Sequence, residues 1–386
     1  MNVDIKALKE CFEKVKPAAT VGLMGRQPQV KLSILKANEM ETHLRMEAYS
    51  GELFIRSWMA IPDPGFEITE CVPTIQLEKI LAALPGSGEL QMEFPQKQPH
   101  MEVKHAPASW RVPFLDKDSM PDFPDCAEWP AFAFSAEMAD GVAYALHSAC
   151  DDAKKQNLCG VRLDNEKPEK PCLVTTDTHR MSLFEAAEPI HADNGCECPS
   201  VTLPLHLCKY VMRYPELSVF YLEQRGDDAP KAILFSGEHL AVYSSLVPGD
   251  YPEWRRIVPE EGGRPAVTLE TAQLLAALPV VDAIEVAAKL NPEIRITISG
   301  AGKEMEIYAR TTASSAQTSV GCEPDPGWSA GGYALVAWAN RRYIKEMAQA
   351  MPTGPVLCVY RDKVTPLIFK RQNRTDIIMP MKGDDE

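Results

Sequence analysis

The stretch LEKILAALP, residues 77–85, decides the fold because its pattern returns twice along the chain. Counted from Leu77, apolar side chains occupy positions i, i+3, i+4 and i+7, and a proline follows. This spacing predicts an amphipathic helix that ends at the proline. Residues 207–215, LCKYVMRYP, and residues 344–352, IKEMAQAMP, repeat it, with closing prolines 130 and 137 residues apart.

A second motif recurs at nearly the same distance. Residues 122–125 read DFPD, and residues 250–253, 128 positions later, read DYPE. Two independent markers with one period indicate internal repeats of about 130 residues. We therefore predict three homologous domains, with boundaries at 1–128, 129–260 and 261–386.

The segments between these helices predict strands and a few more helices. Runs rich in β-branched, aromatic or alternating residues predict strands at 53–56, 89–94, 172–176, 218–222, 294–298 and 356–360. Apolar periodicity predicts further helices at 5–15, 136–150 and 268–278. The chain is therefore predicted to be α+β, with two helices and antiparallel sheets in each of three tandem domains.

Composition narrows the class of protein. The 386 residues include 40 Lys and Arg against 54 Asp and Glu, a net charge of −14, and 45% are hydrophobic. These values exclude long disorder and argue against nucleic-acid binding over the whole surface. The amino terminus lacks an apolar signal core, and the chain lacks an apolar run of membrane-spanning length, so we expect a cytoplasmic protein without membrane contact. Eleven scattered cysteines predict reduced thiols.

Only one short run looks chemically active. No phosphate-binding loop, dinucleotide fingerprint or HExxH helix occurs. Residues 176–180 read TDTHR, in which Asp177 and His179 suggest three alternatives. They are a metal-dependent phosphoesterase site, a structural turn in which Asp177 caps backbone amides, and part of a binding surface. The sequence leaves the three open.

Basic residues accompany the repeated helices. Lys79 and Lys209 occupy equivalent positions in the first two copies, and Arg213 adds a charge to the second. Either these are ordinary solvated faces of mixed charge, as Glu78 suggests, or the helices together form a basic surface on an acidic molecule.

Five segments resemble one known family, the bacterial sliding clamp, which is the β subunit of DNA polymerase III. Residues 176–181, TDTHRM, resemble its T-D-G-H-R-L segment, with Thr in place of the family's glycine. Residues 250–259, 340–344, 365–369 and 377–382 resemble its F-P-x-Y-x-R segment, the start of its last helix, its S-P strand and its terminal M-P-M-R, in that order.

The resemblance implies a head-to-tail homodimer, a ring of six domains around duplex DNA that it contacts without regard to base sequence. Polymerase subunits and the clamp loader would bind through short peptide motifs. No catalytic activity, cofactor or metal is implied. A monomeric peptide-binding scaffold is the alternative without a DNA role. The residues expected to face DNA are Arg26, Lys79, Lys209 and Arg213.

The resemblance also implies a pocket for partner peptides between the second and third domains. Apolar walls there would accept aliphatic or aromatic anchors, and a few polar groups would fix the peptide backbone. The residues expected in this pocket are Leu158, Thr176, Thr178, His179, Arg180, Met181, Pro252, Arg256, Ile257, Asn340, Tyr343, Val364, Pro366, Ile377, Ile378, Met379, Pro380 and Met381.

Overall fold

The computed structural model divides the chain into two compact units. It describes residues 1–20, 27–38, 40–95, 98–192, 195–224, 228–259, 265–283, 293–310, 314–326, 328, 334–360 and 362–382. Unit 1 comprises Met1–Phe134, His191–Cys196 and Lys209–Leu246. Unit 2 comprises Ser135–Ile190, Glu197–Cys208 and Val247–Glu386.

All six predicted helices are confirmed, two in each predicted domain. They are α1 (Ile5–Ala19), α2 (Thr74–Ala83), α3 (Ala136–Ala145), α4 (Leu205–Val211), α5 (Thr271–Asp282) and α6 (Arg341–Ala350). Side-chain caps fix several starts, because the first amides of a helix have no partner within it. The Asp4 carboxylate accepts from Ala7 N at 2.8 Å, and Ser135 Oγ accepts from Met138 N at 3.1 Å.

The predicted strands are also confirmed, with ends that differ by at most five residues. The strands of the described residues are β1 (Asn2–Asp4), β2 (Gln29–Lys36), β3 (Thr42–Tyr49), β4 (Leu53–Ile61), β5 (Ile68–Pro73), β6 (Glu89–Glu93), β7 (His100–His105), β8 (Ala108–Pro113), β9 (Ala131–Ala133), β10 (Gly160–Asp164), β11 (Cys172–Thr176), β12 (Arg180–Glu185), β13 (Val201–Pro204), β14 (Val219–Glu223), β15 (Ala232–Ser236), β16 (Leu240–Ser245), β17 (Ala266–Glu270), β18 (Glu293–Ile298), β19 (Glu304–Arg310), β20 (Ser315–Pro324), β21 (Leu335–Asn340), β22 (Pro355–Val359), β23 (Leu367–Arg371) and β24 (Arg374–Ile378).

The strand order repeats with a period of eight strands. Unit 1 holds an eight-stranded sheet in the order β5-β2-β3-β4-β16-β15-β14-β9, and unit 2 begins with β13-β10-β11-β12-β24-β23-β22-β17. Each number in the second order is eight higher than its counterpart in the first. The sheet of unit 2 continues through β20-β19-β18-β21, and unit 1 has a separate four-stranded sheet, β1-β6-β7-β8.

Every strand pair formed by the described residues is antiparallel, and two of these pairs connect different repeats. In unit 1, β4 pairs with β16; in unit 2, β12 pairs with β24. We call these pairs the unit 1 junction and the unit 2 junction. Helix α3 packs on β11 and β12, and the cluster that contains Trp254 packs Met181 and Leu183 of β12, so that five of the six residues of β12 are buried. Within the described residues, no helix combines the length and apolarity needed to cross a membrane.

Candidate functional site

An apolar cavity of about 290 Å³ lies in unit 2, beside the unit 2 junction. Its volume suits a few side chains of a ligand rather than a large substrate. It is lined by Leu158, Thr176, Thr178, Arg180, Met181, Pro252, Trp254, Ile257, Ile377 and Met379.

The pairing register of three strands builds the cavity wall. Met181 on β12 lies opposite Thr176 on β11 and opposite Ile377 on β24. Directly opposite residues of antiparallel strands point to the same face of the sheet, so these three side chains stand side by side. Ile378, the next residue of β24, therefore points to the other face and is buried there, away from the cavity lining.

A three-residue turn, residues 177–179, between β11 and β12 forms one edge of the cavity. The Asp177 carboxylate accepts from His179 N at 2.9 Å and from Arg180 N at 3.0 Å, as in the structural turn that was one of the three alternatives. Thr178 adopts φ +82°, a left-handed conformation that is strained for a β-branched residue. Lys155 Nζ donates to Thr178 Oγ1 at 2.8 Å and so braces this conformation.

The Asp177 carboxylate is fully engaged within the protein, which leaves it little capacity as a metal ligand. Its second oxygen accepts from Arg180 Nε at 3.0 Å, while the His179 side chain is exposed. Among the described residues, no group of three or more His, Cys, Asp or Glu side chains is arranged to hold a metal ion.

Among the described residues that line the cavity, Arg180 alone is charged, and its charge is neutralised by neighbouring acids. Its side chain is 4% exposed; Nη1 donates to Glu346 Oε2 at 2.5 Å, and Cζ lies 4.3 Å from the centre of the Tyr343 ring. Burial raises the pKa of the Glu346 carboxyl, but hydrogen bonds from Arg342 and Arg180 outweigh burial and hold it below its usual range. Helix α6 is thereby attached to the turn.

Trp254 also lines the cavity, and among the described lining residues it is the one that sequence reasoning missed. Its indole Nε1 donates to Asp164 Oδ2 at 2.7 Å, and Asp164 also accepts two hydrogen bonds from Arg255. Burial raises the pKa of Asp164, but the hydrogen bonds from Arg255 and Trp254 outweigh burial and hold this pKa below its ordinary value. The carboxylate therefore stays ionised and holds the indole in place. The signal was available: Trp254 lies inside the same segment as Pro252.

The remaining predicted pocket residues lie outside the cavity lining. Asn340 caps α6, with its Oδ1 accepting from Arg342 N at 2.9 Å, and Tyr343 contacts the cavity through Arg180. Met381 N donates to Trp338 O at 2.8 Å, which ties the segment after β24 to β21. The other predicted pocket residues outside the lining have exposed or half-buried side chains, and they are His179, Arg256, Val364, Pro366, Pro380 and Met381.

The residues predicted to face DNA belong to unit 1. Lys79, Lys209 and Arg213 are exposed. In contrast, Lys14 and Lys16 on α1 are engaged in ion pairs, with Glu216 at 3.0 Å and Glu78 at 2.9 Å. Arg26 lies outside the described residues.

Comparison with known proteins gives one consistent answer. No family model matches the chain. It is 22% identical over 308 residues to the Beta sliding clamp of Helicobacter pylori strain J99, covering 77% of this chain and 78% of the relative. The DNA polymerase III subunit beta of Pseudomonas aeruginosa superposes with a TM-score of 0.85 at 16% identity, over 99% of this chain and 100% of that one.

A third comparison concerns a clamp with a bound peptide. The Helicobacter pylori beta clamp bound to a DNA ligase peptide superposes with a TM-score of 0.81 at 17% identity, over 99% of this chain and 100% of that one. The predicted three-repeat α+β fold is thus matched over almost the full length. The chain is thus similar in fold, over almost its full length, to the bacterial sliding clamps, the β subunit of DNA polymerase III, and it shares 22% sequence identity with one of them.

Proposed function

We propose that this chain is a DNA sliding clamp without catalytic activity. Two copies close head to tail into a ring around duplex DNA in the cytoplasm. Polymerase subunits and the clamp loader dock short peptides into the apolar cavity of unit 2. The ring holds DNA topologically and so raises the processivity of the polymerase. The domains are those predicted from the repeats, at 1–128, 129–260 and 261–386.

The observation that carries the ring proposal is the pair of strand edges that the eight-strand period leaves open. In the repeat, β8 corresponds to β16 and β24, while β20 corresponds to β4 and β12. Among the described residues, β8 pairs only with β7, and residues 315–321 of β20 pair only with β19. Open edges favour the addition of a strand. Pairing β8 of each copy with β20 of the other makes two identical contacts and closes a dimer.

The cavity supports the peptide part of the proposal. Its walls are largely apolar, and a methionine at 379, 40% exposed, can adapt to different ligands. Aliphatic or aromatic anchors of a peptide would bury apolar area there, while the wider predicted set, including Asn340 and Tyr343, would contact the rest of the peptide.

The basic side chains of unit 1 support weak contact with DNA. A ring needs only screened attraction to phosphates, because tight base contacts would prevent sliding. Three exposed cations, Lys79, Lys209 and Arg213, in a molecule of net charge −14 fit that requirement.

Sedimentation equilibrium tests the ring directly. We expect a mass of about twice 42.8 kDa. Lysine on an open edge discourages strand pairing, so the double variant Trp110→Lys, Gln317→Lys should dissociate at concentrations where the control Met40→Lys stays dimeric. A mass of 42.8 kDa at every concentration would favour the monomeric scaffold instead.

Charge reversal tests the DNA-facing residues. The double variant Lys79→Glu, Lys209→Glu should reduce the retention of the clamp on DNA and the salt dependence of that retention, since two phosphate contacts become repulsive. The affinity for peptides should not change. The matched control is Lys167→Glu, Lys170→Glu, which reverses two exposed lysines of unit 2. An equal loss of retention on DNA in both double variants would contradict the assignment of Lys79 and Lys209 as DNA-facing residues.

A further inference from the structure

A cluster of polar side chains is buried behind the cavity wall. Asp376, on β24 and 1% exposed, accepts from Tyr144 Oη at 2.6 Å, from Ser182 Oγ at 2.6 Å and from His147 Nε2 at 2.8 Å. We call Asp376, His147, Tyr144 and Ser182 the Asp376 cluster. A buried carboxylate is costly unless hydrogen bonds and an opposite charge compensate it, so the protonation state of His147 matters.

With Asp376 ionised, the geometry requires His147 to carry two ring protons. Its Nδ1 lies 2.6 Å from the carbonyl oxygen of Tyr144, which can only accept. Its Nε2 lies 2.8 Å from the Asp376 carboxylate, which also accepts. Both ring nitrogens must therefore donate, and only the imidazolium ion donates from both.

The charges around the cluster leave that positive charge in place. Arg180 on β12 disfavours it, but Arg180 is itself neutralised by Asp177 and Glu346. Arg374 on β24 is paired with Asp140 of α3.

On the acidic side, Tyr144 stays neutral, because burial and then Asp376 raise its pKa well above 10. Helix α6 packs against the turn that carries His147. Two charged groups of this helix, Arg342 and Glu346, pair with each other at 2.7 Å. Tyr343 of the same helix stays neutral, because burial raises the pKa of its hydroxyl group. Burial also opposes the charge on His147, but Asp376 outweighs it, so the pKa of His147 lies above its usual 6.5.

The cluster lies one residue away from the cavity wall on two strands. Ser182 lies opposite Asp376 in the same register that sets Met181 opposite Ile377, and both of the latter line the cavity. Resting on the proposed function, we infer that Asp376 and the imidazolium of His147 form a positioning pair that fixes β24, and with it the peptide-binding wall.

The sign of the pH effect follows from the raised pKa. The stabilisation by this pair is fully present below the unfolded pKa of His147, near 6.5, and is lost as pH rises through the higher folded value. Deprotonation removes one hydrogen bond and leaves Asp376 without its counter-charge. We expect β24 to loosen and peptide affinity to fall.

The test uses a capped nonapeptide probe that contains two leucines and one phenylalanine among serines and glutamines, with a tetramethylrhodamine label. Neither the probe nor the label titrates between pH 6 and 9, so any pH dependence belongs to the protein. We expect the full-length protein to bind the probe at least about fivefold more weakly at pH 9.0 than at pH 6.5, as for a modest coupling between sites. His147→Gln and Asp376→Asn should flatten this profile.

The matched control is His191→Gln, which removes an exposed histidine of unit 1 and should keep the wild-type profile. A profile that His147→Gln preserves would overturn the inference. Nitrogen NMR of ¹⁵N-histidine-labelled protein gives a second readout that needs no variant to fold. Two protonated ring nitrogens on His147 at pH 7 are expected; one unprotonated nitrogen at pH 6 would also overturn it.

These outcomes separate the inference from the proposed function. Binding with a flat wild-type profile refutes the positioning pair while the clamp function stands. If the probe fails to bind at every pH, the peptide part of the proposed function fails, and the NMR result alone decides whether the imidazolium exists.

Discussion

The unit 1 junction and the unit 2 junction share one strand order but differ in what fills them. Both join two repeats by an antiparallel pair, β4 with β16 and β12 with β24, and a related motif, DFPD or DYPE, packs against each pair. The unit 1 junction is filled by aromatic side chains, whereas the unit 2 junction leaves the 290 Å³ cavity. One scaffold therefore yields a closed or an open junction, according to a few side chains.

The residue that differs most in its role is the aromatic residue of the motif. Phe123 packs edge-on against Phe54, with ring centres 4.9 Å apart, and Arg56 Cζ lies 4.1 Å from its ring centre. Tyr251 instead directs its hydroxyl group to Val174 O at 3.4 Å, and Pro252 next to it lines the cavity.

Emptying the closed junction should have the largest effect. Phe123→Ala removes a buried ring from a packed aromatic cluster, so we expect the free energy of unfolding to fall by about 3–5 kcal/mol. Urea denaturation measures this. Met40→Ala, at a side chain 97% exposed, should stay within about 0.5 kcal/mol of the wild type. A loss below about 1 kcal/mol would mean that Phe123 does not hold this junction closed.

Filling the open junction should have the next largest effect, on binding rather than stability. Ile257 is 50% exposed at the edge of the cavity, so the indole of Ile257→Trp should cover the opening. We expect the affinity for the leucine–phenylalanine probe to fall about tenfold, which is about 1.4 kcal/mol, with the stability nearly unchanged. Fluorescence anisotropy measures the affinity, and Met40→Trp is the control. Undiminished affinity would remove the cavity as the peptide site.

The turns that precede β4 and β12 give the smallest predicted effect. Each has a left-handed residue, Gly51 at φ +92° and Thr178 at φ +82°, and a side-chain cap, Ser50 or Asp177. Gly51→Thr should lower the free energy of unfolding by about 1 kcal/mol, because a side chain disfavours the left-handed conformation. Thr178→Gly should raise the free energy of unfolding by about 0.5 kcal/mol, because it removes the backbone strain. The loss of the hydrogen bond from Lys155 offsets part of this gain in stability. Denaturant midpoints measure both, and changes of the opposite sign would contradict the strain account.

The sequence predicted the six helices because their apolar stripes, followed by a proline in the three repeated helices, are local signals. The period of the repeats likewise matched the eight-strand order of the sheets. Of the cavity lining, Leu158, Met181 and Ile377 were foreseen through resemblance to the clamp family, because register and strand pairing bring together residues that are far apart in sequence.

What the sequence did not reveal depends on side-chain geometry across repeats. Trp254 was missed because its role depends on Asp164, 90 positions away. The Asp376 cluster was missed because His147 and Asp376 are 229 positions apart and neither belongs to a recognisable motif. Ile378 was expected in the pocket, and only the strand register shows that its side chain points to the opposite face.

Retention on circular DNA tests the ring most directly. The clamp is loaded by its clamp loader onto a singly nicked plasmid, and half of the sample is then cut once to make it linear. The account predicts that the clamp stays on the circles through gel filtration in moderate salt and slides off the linear molecules. Equal retention, or equal loss, on circular and linear DNA would contradict the ring.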